Sequence, residues 1–241
     1  MGNAQTHCVQ LPNTFAFARG ATGRPLAEAD YVEFSDGLIT GQGALIVAGW
    51  RALAGTDAAA MTRAANELQS LANRRLRTGN LKGLLFGDPW RFITDLVLQL
   101  RLRAAFVEFQ ASAKDGRPLK EPFRRFVDAV DAWHERHGYE NAWWWPALDE
   151  ALRKLDAPEI HAVLGTQFTL EWSPDPFSGK TLYEQLQDNF RRTESYTSRL
   201  IAAMKKVAGD GAHSRSGSPG PTPANPHGAT GPSVAGAAAP G

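Results

Sequence analysis

The stretch DPWRFITDLVLQLRLRAAFVEFQ, Asp88–Gln110, constrains this chain more than any other. Asp88 offers a side-chain oxygen where a helix can start, and Pro89 fits the first turn. No glycine or further proline interrupts the run. Its apolar residues fall on nearly every side, so the helix must be surrounded by others. A central buried helix makes an all-α bundle the expected fold.

The neighbouring segments supply the partners. In PFRRFVDAVDAWHERHG, Phe123, Phe126, Val127, Val130, Trp133 and His137 recur at three- and four-residue steps, and Gly138 provides a left-handed stop. Arg124 and Asp128 pair at i,i+4 on its other face. KTLYEQLQDNFRRTESYTSRLIAAMKKV opens with a Thr181/Glu184 capping box and carries a stripe of Leu182, Leu186, Phe190, Leu200, Ile201 and Met204. TDAAAMTRAANELQSLANRRLRTG and NAWWWPALDEALRKLD also read as helices, and GLITGQGALIVAGWRAL holds a weaker one. The expectation is five to six helices over 35–207. They follow an irregular arm over 1–34, in which TFAF reads as a short strand. HAVLGTQFTLEW has room for another short strand before the turn SPDPFSG. The Gly/Pro/Ala-rich tail over 208–241 has too little apolar bulk to repay its ordering entropy and is expected to be disordered.

Composition limits the function classes. There are 26 basic and 25 acidic residues, a formal net charge of +1. That balance gives no global attraction to nucleic acid, which is not an expected partner. A single cysteine excludes an internal disulfide and a thiolate zinc site. The longest uncharged stretch of the ordered region, Gly37–Trp50, is too short and glycine-rich to span a bilayer. No secretory signal is visible at the N-terminus. No catalytic signature stands out, and nothing calls for a cofactor. A membrane role would therefore need a lipid anchor or a surface patch.

The first eight residues, MGNAQTHC, supply a candidate anchor. Gly2 with Thr6 fits the M-G-x-x-x-[ST] pattern of N-myristoylation. One myristoyl chain binds membranes only marginally, at roughly 10⁴ M⁻¹, so stable attachment needs a second signal. Cys8, six residues on, is the candidate for S-palmitoylation. Near the N-terminus no polybasic cluster replaces it: Arg19 and Arg24 are the only Lys or Arg before Arg51.

Two clusters further along could face anionic lipid: Arg74, Arg75, Arg77 and Lys82, then Lys120, Arg124 and Arg125. Each cation near such a surface contributes about 1 kcal/mol. Trp143, Trp144 and Trp145 form a run in which at least one ring faces outward, a candidate surface for a membrane, a partner or a second copy.

His134 and His137, three apart on one helix, are weak metal candidates with His161; capping the last carbonyls is the alternative role. GLITGQG has the glycine spacing of a phosphate loop, but YVEFSD before it is no apolar strand, so a helix start is the expected reading. Ser218-Pro219 and Thr222-Pro223 in the tail are candidate phosphorylation sites.

An acylated glycine, a helical globule, scattered basic residues and a Pro-rich tail make a build that resembles two kinds of protein. Retroviral matrix proteins dock on the inner leaflet, and some bacterial effectors borrow a host's acylation. Both likenesses rest on MGNAQT and no other motif. The expected function is a peripheral membrane adaptor or structural protein at the cytoplasmic face. A soluble scaffold, or a histidine-containing enzyme or metal protein, is the alternative.

Overall fold

A computed structural model describes residues 7–213, apart from 22, 24, 72–73, 86–87, 138–145 and 167–174. Among the described residues it is all-α. The helices are α1 His7–Gly20, α2 Glu28–Leu38, α3 Gly43–Ala54, α4 Ala58–Gln69, α5 Pro89–Lys114, α6 Lys120–His137, α7 Pro146–Arg153, α8 Pro158–Leu164 and α9 Leu182–His213. A 3₁₀ turn over Lys82–Leu85 precedes α5.

The start signals act as the sequence implies. Asp88 accepts from the Arg91 amide at 2.8 Å at the head of α5. At the head of α9, the Thr181 amide donates to Glu184 at 2.8 Å, and the Glu184 amide donates to Thr181 Oγ1 at 3.2 Å. Asp57 accepts from the Ala59 and Ala60 amides and starts α4.

Helix α5 runs about 39 Å at 1.5 Å per residue and touches α1, α3, α4, α6 and α7. Two apolar cores lie along it. Phe92, Ile93, Leu96, Val97 and Leu100 face a first core shared with α1–α4. Leu102, Phe106, Phe109 and Ala113 face a second, shared with α6–α9. The second core is aromatic: the Phe109 ring stacks on Phe126 at 5.8 Å and tilts against Phe123 at 5.4 Å.

Some expectations are corrected. The N-terminal arm is helical from His7, TFAF lies inside α1, and both α1 and α2 pack into the first core. The helices outnumber the expected five to six. HAVL, the start of the stretch expected to hold a short strand, belongs to α8, and residues 167–174 of that stretch lie outside the described set. In α9, Leu200, Ile201 and Met204 are buried, but Leu182 and Phe190 are 56% and 64% exposed, so only the later half of that stripe is covered. The helix also continues to His213 rather than stopping at 207. Residues 214–241, with the Ser218 and Thr222 sites, lie outside the described set.

Proline explains how α1 is placed. Pro12 has no N–H to donate to the Cys8 carbonyl four residues earlier. The Trp50 indole N–H supplies the missing bond at 2.7 Å, in a buried position. This gives the carbonyl a buried donor and ties α1 to α3.

Candidate functional site

Gly2 lies outside the described residues, five positions before the first helical one. Cys8 does not sit in a free arm. It is 3% exposed, within the first core. Acylation of its thiol therefore requires α1 to leave α3 and α5, breaking the Trp50 bond.

The two basic clusters differ in a way that spacing alone hides. Arg124 is held by Glu121 and Asp128, both at 3.1 Å, and Arg125 by Glu108 at 2.8 Å. Lys120 stands beside them, exposed, at the start of α6. This cluster is largely neutralised by its own carboxylates. By contrast, Arg74, Arg75, Arg77 and Lys82 are all exposed. No ion pair to a described residue engages any of the four.

Their backbone is nonetheless fixed. The Thr40 amide donates to the Arg77 carbonyl at 2.8 Å, the Gly79 amide to Leu38 at 3.1 Å and the Leu81 amide to Gly37 at 2.7 Å. The segment is thus stapled to the corner between α2 and α3. GLITGQG builds that corner. Gly41 takes φ +75°, and a Cβ on Gly43 would collide with the Val32 carbonyl. Asp36 accepts from the Gly43 amide at 2.7 Å and starts α3. The glycines serve a helix start, as the sequence implied.

The histidines do not converge. Among the described residues, no three His, Cys, Asp or Glu side chains are placed to share a metal. His137 packs on Trp133 with ring centroids 4.0 Å apart, and its Nε2 lies 3.2 Å from Asp95. Burial pushes its imidazole pKa below the ordinary value; Asp95 pulls it up, and Arg136 and Arg91 push it down. Asp95, 4% exposed, also meets Arg136 Nε at 2.5 Å and Arg91 at 3.9 Å. The group clasps α5 to α6. His134 and His161 stand apart from it, half-buried.

Trp143, Trp144 and Trp145 lie outside the described residues. Exposed apolar side chains appear instead at Phe177, Leu182, Tyr183 and Phe190. Among the described residues, no helix is long and apolar enough to cross a membrane.

One feature of the first core escaped the sequence reading. A cavity of about 700 Å³ opens between α1, α2, α3 and α5. Its α5 wall carries Gln99 and Arg103, polar residues that read in sequence as interruptions of an apolar helix. The chain matches no protein-family model, no curated protein and no solved structure.

Proposed function

We propose that this is a non-enzymatic peripheral membrane protein, acylated on Gly2, whose helical body docks on anionic lipid through Arg74, Arg75, Arg77 and Lys82. The observation that supports it is the contrast between the basic clusters. An exposed group of cations without carboxylate partners, on a backbone stapled to the α2–α3 corner, is a preformed electrostatic surface. It supplies the second signal that one myristoyl chain requires, a role the buried Cys8 does not fill while α1 is docked. The cluster's backbone is bonded to Thr40, just before α3, and Cys8 to Trp50 within that helix.

The test is expression with a myristoyltransferase and an alkyne myristate, followed by flotation on phosphatidylserine vesicles. Wild type should label and float. Gly2→Ala should lose the label, and Arg74→Glu/Arg75→Glu/Arg77→Glu should keep the label but stay at the bottom. An unlabelled wild type, or a charge-reversed protein that floats like wild type, contradicts the reading.

A second reading, a soluble scaffold or homo-oligomer, is favoured by Phe177, Leu182, Tyr183 and Phe190, large apolar side chains left in solvent. Sedimentation of Phe190→Asp against wild type addresses it: a smaller mass supports self-association, and an unchanged monomer removes it.

A further inference from the structure

Helix α9 outruns the core it serves. Its later half enters the second core with α6 and α8 through Tyr196, Leu200, Ile201 and Met204, all buried. From Leu182 to Ser195, by contrast, no described side chain is buried. The apolar face does not end where its cover does. Phe190 precedes the buried Thr197 and Met204 by two and four turns, and Leu186 and Leu182 extend that face in four-residue steps. Six large apolar side chains stand exposed among the described residues, and four of them, Phe177, Leu182, Tyr183 and Phe190, fall in this one stretch. A grouping of that kind marks an interaction site, which single scattered residues do not.

The stretch is held in shape. Gln185 reaches back over the turn before α9: its Oε1 accepts from the Asp175 amide at 2.8 Å, and its Nε2 donates to the Asp175 and Lys180 carbonyls, each at 3.0 Å. Phe177, 93% exposed, is thus presented on a pinned turn. Arg191 and Arg192, toward the other end, are exposed and have no ion pair to a described residue. Asp188, one turn before them, is taken by Lys180 at 2.5 Å.

An interface between identical copies about a two-fold axis must be complementary to itself. Here Phe177 and Tyr183 stand at one end and two unmatched guanidiniums at the other. Antiparallel pairing lays the rings of each copy against the guanidiniums of the other, whereas parallel pairing sets like beside like. The area is of the right order as well. At about 150–250 Å² per buried ring, the exposed parts of Phe177, Tyr183 and Phe190 amount to roughly 340–560 Å² per chain. That is about half of the ~800 Å² that each partner buries in a standard interface, before Leu182, Leu186 and the polar flanks are counted.

We infer that a second copy of this chain covers this face. The first halves of the two α9 helices run antiparallel, with Phe177 and Tyr183 of each against Arg191 and Arg192 of the other. The inference rests on the self-association reading above and is independent of acylation.

Sedimentation equilibrium of the unacylated full-length protein should give the mass of two chains. Phe177→Ala and Arg191→Glu/Arg192→Glu, all at exposed positions, should each raise the dimer dissociation constant at least tenfold. Arg199→Glu, exposed on the covered half of the same helix, should leave it unchanged. Direction is read by disulfide trapping in a Cys8→Ala background, mixing copies that carry Pro176→Cys with copies that carry Glu194→Cys. Oxidation should give the mixed disulfide and neither self-pair. A monomeric wild type would overturn the inference together with the self-association reading, and its loss of vesicle flotation in Phe177→Ala would give the face to lipid instead. A dimer indifferent to Phe177→Ala, or one trapped only as self-pairs, would overturn the antiparallel α9 interface while leaving self-association standing.

Discussion

The two cores strung along α5 are built to different specifications. The second, around Phe106, Phe109, Phe123, Phe126 and Trp133, is a cluster of rings with Phe109, Phe126 and Trp133 fully buried. The first takes in an open cleft of about 700 Å³ and a proline-containing helix held partly by a side-chain bond from Trp50. Each core holds a buried N–H without a hydrogen-bond partner among the described residues, at Gln99 Nε2 and at Trp133 Nε1, so the cleft and the proline-containing helix are what set the first apart. The exposed, unpaired cations at residues 74–82 belong to the side with the cleft, and the neutralised ones at 120–125 to the aromatic side.

The sharpest way to break this contrast is to cut the tight core. Phe126→Ala removes a ring in contact with Phe106 and Phe109 and should cost about 3–5 kcal/mol in urea unfolding. A loss of less than about 1 kcal/mol would show that the aromatic cluster does not secure the fold as described.

Trp50→Phe addresses the other side. It keeps the apolar bulk but removes the buried bond to the Cys8 carbonyl, a loss of about 1 kcal/mol. Released α1 should let a maleimide reach Cys8 much faster than in wild type. Equal labelling rates would show that the indole bond does not hold α1.

Between the cores, the clasp at Asp95 should respond to pH. His137 has its folded pKa below the unfolded value of about 6.5. The unfolded chain therefore takes up this proton first as pH falls. The associated stability is fully present above about pH 6.5 and is lost progressively as pH drops below it. His137→Gln should flatten that part of the stability–pH curve, measured by urea midpoints between pH 7.5 and 5. A curve of unchanged slope would remove His137 as its source. The smallest effect is expected at the head of α9, where Thr181→Ala should cost about 1 kcal/mol through loss of the cap, read as a lowered thermal midpoint.

What could be read from the sequence follows from how local its causes are. Asp88, Thr181 and Glu184 act within one turn, so their caps were legible, as were the buried face of α6 and the central place of α5. Helix α1 was not. Pro12 reads locally as a breaker, and its remedy comes from Trp50, remote in sequence. Cys8 was placed in an irregular arm because residues 1–34 are rich in small and turn-forming types. The site was legible only in outline: both basic clusters were visible, but Arg125 is neutralised by Glu108 on a different helix. Gln99 and Arg103 carried no signal beyond being polar in an apolar run, because the cavity they line is made by three other helices.

Hydrogen exchange of the Gly2-acylated protein, with and without phosphatidylserine vesicles, tests the membrane-facing assignment most directly. Vesicles should slow exchange over residues 74–82 and leave 120–128 unchanged. Protection at 120–128 with none at 74–82 would contradict the account.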